Sequence, residues 1–325
     1  MKKKVSILLT IIMILAIFSG CRSNSTTGSN NKVKILLSMS DGSDTYRKLL
    51  VDNVASYAKS QNVELTVRDA AKSVEAQVSH MKEAASAGYN VIICAPVDPN
   101  TVLELERAAK GIPIVFMNSI PDDNVLEKNK YIYVASNENM AGKYQAEYVS
   151  NYFKNKSDIK VVLLEGEKGP TARARTEAVK QTFRDNGIKA EYVFEDTAEW
   201  SREKAKDMFN VFLATGKKFD CIIANNDSMA LGVVDSFKEK KIDNSTIPVL
   251  GVDAIGDALK AIKDGSMKLS VYQSAKGQSI SAVKAAVKLG SGETLSGLEN
   301  LTSDGKYIWV PFEKVDKNNV DKYIK

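Results

Sequence analysis

Histidine is nearly absent from this sequence: His80 is the only one among 325 residues. A Ser-His-Asp or Cys-His nucleophile therefore has no obvious base, and a zinc site built on several histidines is excluded. Cysteine is scarce as well, with three residues. Cys94 and Cys221 sit inside the apolar runs Val91-Ile92-Ile93-Cys94 and Cys221-Ile222-Ile223, so they read as small buried thiols rather than as a disulfide or metal pair. Neither phosphate fingerprint is present: the loop Gly166-Glu167-Lys168-Gly169-Pro170 has no GxGxxG and no GK[ST] ending. A large excess of one charge is also missing. Without Lys2, Lys3 and Lys4 the balance is 42 basic to 40 acidic residues, net +2. The charges are mixed along the chain, with no basic run and no interleaving of basic and aromatic residues, which argues against a nucleic-acid partner.

The N-terminus has the organisation of an export signal. Lys2-Lys3-Lys4 precedes an apolar stretch over residues 5–18, which is shorter than the ~20 residues of a membrane-spanning helix. It ends in Phe18-Ser19-Gly20-Cys21, small residues before a cysteine, as in a bacterial lipoprotein signal. Cys21 is thus the candidate lipidation site, and its diacylglyceryl chains would anchor the protein to the outer face of the cell membrane. The Ser/Thr/Asn/Gly-rich residues 22–31 read as a flexible tether.

From residue 32 onward, apolar runs of strand length alternate with helical spacing. Strands are expected at 33–39, 63–68, 91–95 and 112–117, with helices at 45–60, 74–87, 101–109 and 139–151. His80 lies off the Val74/Val78/Met81 stripe and is expected to face solvent. The pattern restarts near Asn137: strands at 160–164 and 189–194 alternate with helices at 172–186 and 200–215. The apolar runs Cys221-Ile222-Ile223-Ala224 and Ile247-Pro248-Val249-Leu250-Gly251-Val252 follow, each with a helix behind it, at 228–239 and 255–264. A strand at 268–272, a helix at 277–289 and an extended piece at 307–312 complete the chain. Parallel strands need crossover helices, and these units are too many for one compact sheet. The expected fold is α/β, with two doubly wound parallel-sheet domains joined by a hinge.

Doubly wound sheets bind ligands at the carboxyl ends of their strands. The groups falling there are Asp41, Asp44, Tyr46, Asn118, Arg173 or Arg175, Trp200, Asn226, Asp253 and Gln273. Aromatics stack on the C–H faces of a sugar ring, and planar amides and carboxylates take paired hydroxyls. Asp44, Asp227 and Asp253 also precede helices and could serve as N-caps, with Asp227 the best pure cap. Trp200 could be a core aromatic. A pair of carboxylates would also suit a glycoside hydrolase, but nothing marks one of them as a tuned acid.

Several stretches resemble the periplasmic galactose/glucose-binding proteins, within the type I sugar-binding group. They are Pro96-Val97-Asp98-Pro99, Ile112-Pro113-Ile114-Val115-Phe116-Met117-Asn118, Val162-Leu163-Leu164-Glu165-Gly166-Glu167, Ala174-Arg175-Thr176, Asp196-Thr197-Ala198-Glu199-Trp200, Ile223-Ala224-Asn225-Asn226-Asp227, Gly251-Val252-Asp253-Ala254 and the tail from Val310-Pro311-Phe312 to Asn319. The resemblance covers essentially the whole chain after the signal. It implies that Asp44, Asn118, Arg175, Asn226 and Asp253 hydrogen-bond a sugar while Tyr46 and Trp200 sandwich its ring. Gln273 stands where those proteins have asparagine, and a glutamine there looks more like the ribose-binding relatives. Two departures bear on the ligand. The loop before Arg175 is one residue shorter and carries Thr171 in place of the family's aspartate, which keeps pentoses and inositol open beside a galactose- or glucose-like hexose. Residues 152–160 lack the alternating oxygens of the family's calcium loop, so no calcium, other metal or cofactor is expected.

The expected division is a signal at 1–20, a tether at 21–31, one domain at 32–136 plus 276–305, and a second at 137–275 plus 306–325. The implied protein is a monomer and no enzyme. It closes on one monosaccharide and delivers it to the membrane permease of an ABC transporter. The alternative partner is a sensor kinase or chemoreceptor. A transcription-factor relative is disfavoured, since the chain starts with an export signal and not a DNA-binding helix pair.

Overall fold

The buried apolar runs become the strands of two parallel-dominated sheets. In the computed structural model, which describes residues 32–324, the order along the chain is β1 (Lys34–Met39), α1 (Thr45–Ser60), β2 (Glu64–Asp69), α2 (Val74–Ser86), β3 (Val91–Cys94), α3 (Val102–Ala108), β4 (Ile114–Met117) and β5 (Tyr131–Ala135). Then follow α4 (Glu138–Tyr152), β6 (Asp158–Glu165), α5 (Pro170–Asp185), β7 (Lys189–Thr197), α6 (Arg202–Ala214), β8 (Cys221–Ala224), α7 (Asp227–Glu239), β9 (Val249–Asp253), α8 (Gly256–Asp264), β10 (Leu269–Gln273), α9 (Ala275–Gly290), β11 (Tyr307–Trp309) and β12 (Phe312–Asp316). The candidate signal, Cys21 and the tether lie outside the described residues. Among the described residues no helix is long and apolar enough to cross a membrane.

One six-stranded sheet has the order β11-β5-β4-β3-β1-β2, all parallel, and the other the order β12-β10-β9-β8-β6-β7, with β12 alone antiparallel. Parallel sheets need cover on both faces, which is why the central strands are apolar throughout. Along β1 the side chains alternate between two cores: Ile35, Leu37 and Met39 pack beneath α1 and α9, and Leu36 packs on the opposite face with Met81 and Leu105. The second sheet repeats this, with Val162 and Leu164 on one face and Val161 and Leu163 on the other. Each such fully buried aliphatic side chain contributes roughly 1.5–3 kcal/mol relative to exposure.

The chain passes between the sheets three times: between Ala135 and Glu138, between Gln273 and Ala275, and between Trp309 and Phe312. The third crossing corrects the expected boundary at 305/306. Tyr307–Trp309 pairs with β5 in the first sheet, and only Phe312–Asp316 joins the second. What reads as one extended piece is two strands, because Val310-Pro311 interrupts the ladder. Strand β5 adds Tyr131-Ile132-Tyr133-Val134-Ala135, a buried run that the sequence reading passes over.

His80 also departs from expectation. It is half-buried and its Nδ1 lies 3.0 Å from the hydroxyl of Ser38, which is itself fully buried on β1. Burial holds its pKa below the usual imidazole value.

Candidate functional site

The carboxyl ends of the two sheets face one another across a cavity of about 100 Å³. That is small against the roughly 300–1,000 Å³ of drug-sized pockets, so it suits one small ring rather than an oligosaccharide. From the first sheet's side it is lined by Asp44, Tyr46, Arg47 and Asn118, and from the second by Arg175, Trp200, Asn226, Asp253 and Gln273. The structure thus brings all eight residues singled out in the sequence to one place. Arg173 is exposed and lies outside this lining. Asp41 is turned to its own loop, where it accepts from the Ser43 backbone N–H at 2.9 Å and from its hydroxyl at 2.6 Å.

Local backbone geometry places several of these groups. Asn118, Trp200 and Asp253 have φ of +64°, +62° and +113°, a region that side-chain-bearing residues rarely occupy. Such strain gathers at ligand sites, held by the surrounding packing. Trp200 sits in the turn ahead of α6 rather than in the helix, which starts at Arg202. Its ring lies against Gly166, where any Cβ would collide with the indole. The Arg175 guanidinium stands 5.7 Å over that ring.

The capping alternatives resolve unevenly. Asp44 caps α1, accepting from Arg47 N–H at 2.8 Å through Oδ1, and still lines the cavity. Asp227 is not the cap of α7. Asn226 is, accepting from Met229 N–H at 3.0 Å. Asp227 is instead fully buried below the site, accepting from the Ser270 hydroxyl at 2.7 Å and from Ile255 N–H at 3.0 Å, and burial pushes its carboxyl up to about 7. Gly251 makes room for it, since a Cβ there would strike Asp227 Oδ1. Asp253 caps nothing: α8 is entered through Ile255.

The electrostatics centre on Arg175. Its Nε donates to Glu138 Oε2 at 2.6 Å, Nη1 to the Asn225 carbonyl at 2.6 Å and Nη2 to Gln273 Oε1 at 3.1 Å. The Asp253 carboxylate makes no side-chain hydrogen bond among the described residues. Burial raises its pKa well above the carboxylate range, with Arg175 opposing and Asp227, Asp44 and Glu138 adding to the rise. Burial likewise raises the Tyr46 phenol, whose hydroxyl has no partner among the described residues. The site therefore offers hydrogen-bonding groups from both sheets, two carboxyl groups and two aromatic rings around one small cavity.

Two contributors escaped the sequence reading. Arg47 sits in the first turn of α1 and looks there like any solvated helix charge. Glu138 opens α4 and is buried at 3 % exposure. Only its place at the start of a helix beside a strand end hinted at it.

Residues 35–294 match the family described as periplasmic binding protein domain. A protein of Rhizobium meliloti described as a putative rhizopine-binding protein is 33 % identical over 291 residues, covering 88 % of this chain and 91 % of that one. The D-galactose/methyl-galactoside binding periplasmic protein of Haemophilus influenzae is 27 % identical, covering 99 % of this chain and 100 % of that one. An ABC transporter solute binding protein from Bacillus halodurans, solved with bound myo-inositol, superposes with a TM-score of 0.81 at 27 % identity, over 91 % of this chain and 99 % of that one.

Proposed function

Because the chain belongs to the periplasmic binding protein family, and its matches include a periplasmic galactose-binding protein and an ABC transporter solute binding protein, we propose that it binds one cyclic polyol, a galactose- or glucose-like hexose or an inositol, between its two sheets. The observation that carries this reading is the small cavity in which Asp44 and Asn118 from one sheet meet Arg175, Asn226, Asp253 and Gln273 from the other, with Tyr46 and Trp200 also in the lining. Tyr46 and Trp200 would cover the two faces of the ring, and the polar groups would take its hydroxyls. A hexose or an inositol is set ahead of a pentose because the relatives described with D-galactose and with myo-inositol, both at 27 % identity, cover 99 % and 91 % of this chain, whereas one described as xylitol-binding, at the same identity, covers 84 %.

Ligand would be gathered as the two lobes hinge about the three crossings, and the closed form, a monomer, would hand it to the permease. Lipidation of Cys21 would keep the protein at the membrane; Cys21→Ala should then release it to the medium. Calorimetry against myo-inositol, D-galactose, D-glucose, D-allose, D-ribose and D-xylose tests the ligand class directly. Absence of binding to every one of them would overturn this reading, and a pentose bound above both hexose and inositol would overturn the preference for a hexose or an inositol.

A further inference from the structure

Arg47 stands beside the cavity, but its visible work is on another residue. Its side chain is only 15 % exposed. Nε donates to Asn118 Oδ1 at 3.0 Å, and Nη1 lies 3.9 Å from Asp41 Oδ2. A guanidinium has five donors and no acceptor, so the Asn118 atom facing it must be the carbonyl oxygen. Flipping the amide would set NH2 against N–H. Asn118 is therefore fixed with its Nδ2 end free, and that end makes no hydrogen bond among the described residues.

The same arrangement recurs across the cavity. Arg175 Nη2 faces Gln273 Oε1, which leaves Gln273 Nε2 buried without a partner among the described residues. The Asn226 oxygen is taken by Met229 N–H, and its Nδ2 has only a long 3.4 Å contact to the Trp200 carbonyl. Three amides thus keep their oxygens occupied by protein donors and present NH2. An unconstrained amide could turn either end to a hydroxyl, which both donates and accepts, and would discriminate little.

We propose that Arg47 is a positioning residue that fixes Asn118 as a hydrogen-bond donor to the ligand, in a cavity whose amides donate while Asp44 and Asp253 accept. This rests on the polyol reading above. A ligand oxygen beside Asn118 then has to accept, and hydroxyl hydrogens run to the carboxyl oxygens of Asp44 and Asp253.

The test is a double-mutant cycle on the full chain, with Arg47→Met, Asn118→Ala, the pair together and Arg47→Lys, titrated with the tightest-binding member of the panel above. Arg47→Met and Asn118→Ala should each weaken binding about five- to tenfold, the worth of roughly one hydrogen bond. The double variant should be no weaker than Asn118→Ala, and Arg47→Lys, still a donor to Oδ1, should recover part of the loss. Wild-type affinity in Arg47→Met, or an undiminished Arg47→Met effect in the Asn118→Ala background, overturns the proposal; the latter would mean that Arg47 touches the ligand itself. A second arm needs no ligand. The Asn118 side-chain NH2 signals in a 15N–1H spectrum, identified by their loss in Asn118→Ala, should move or broaden in Arg47→Met and persist in Arg47→Lys. Unchanged signals in Arg47→Met overturn the proposal, and this arm decides even if the wild type binds none of the panel and the polyol reading falls.

Discussion

Glu138 Oε2 lies 2.6 Å from Arg175 Nε, and neither side chain is more than 4 % exposed. Glu138 opens the helix just after the first crossing between the sheets, and Gln273, the guanidinium's other side-chain partner, closes the strand just before the second. Arg175 therefore ties two crossings to the second sheet. Burial pushes the Glu138 carboxyl up while the guanidinium pulls it down, and Arg175 itself is held above its usual value by the Glu138 and Asp253 charges despite its burial. The short charge-assisted bond decides between these opposing influences, and the pair is ionised.

Removing one partner of such a pair leaves a buried charge uncompensated. Glu138→Ala should cost about 3–5 kcal/mol in denaturant unfolding. Glu138→Gln, whose amide oxygen can still accept from Nε, should cost less. An alanine variant within about 1 kcal/mol of wild type would mean that water or another group already serves the guanidinium.

Asp253 offers the opposite case. Its carboxylate is desolvated, unpaired among the described residues and held at φ +113°. Asparagine tolerates positive φ well and carries no charge to desolvate. Asp253→Asn should therefore leave thermal stability unchanged or raised while weakening polyol binding about fivefold or more, since the amide puts NH2 where a carboxyl oxygen would accept. Full affinity in this variant would remove Asp253 from the binding groups.

Across the cavity mouth, Lys72 Nζ lies 3.5 Å from Asp41 Oδ2 and 3.7 Å from Glu167 Oε1, so one lysine joins a loop of the first sheet to a loop of the second. Lys72 and Glu167 side chains are 61 % and 44 % exposed, which limits the pair to about 1 kcal/mol. Glu167→Gln should weaken polyol binding by less than about fivefold, and only at low ionic strength. At ~1 M salt, where the screening length is ~3 Å, the difference should vanish. A defect that persists at high salt would point to Glu167 contacting the ligand.

The strand–helix alternation was legible because parallel sheets buried on both faces leave unbroken apolar runs such as Val161-Val162-Leu163-Leu164. The polar tips Asn226 and Asp253 were legible for the same reason, since each ends such a run abruptly. What sequence could not separate was role at equal spacing. Asn226 and Asp227 are neighbours of similar capping propensity, and only the packing of Asp227 onto Ser270 and Gly251 decides which one caps α7. Arg47 and Arg173 are both cations in a helix's first turn. One is directed inward by Asn118, a contact 71 residues away in sequence, and the other is left in solvent. His80, off the apolar stripe, still reaches Ser38 because α2 lies over the middle of β1.

Asp227 gives a pH dependence whose sign can be worked out. Burial raises its carboxyl from 3.8 to about 7 in the folded protein. Between about pH 4 and pH 7 the folded state therefore holds a proton that the unfolded state has lost. Its contribution to stability falls as pH rises through that window and levels off above it. At 1.36 kcal/mol per unit the change is at most about 4 kcal/mol, an upper bound for a buried group with hydrogen-bond partners. Asp227→Asn keeps an oxygen for Ile255 N–H and turns its NH2 toward the Ser270 hydroxyl, which already accepts from Ala254 N–H at 2.9 Å. The variant removes the titration without emptying the space. Unfolding free energies of wild type and Asp227→Asn should thus diverge between pH 4 and pH 7, the variant gaining relative to wild type as pH rises. Parallel curves across that range would show that Asp227 is ionised throughout, its charge carried by the Ser270 hydroxyl and the Ile255 N–H.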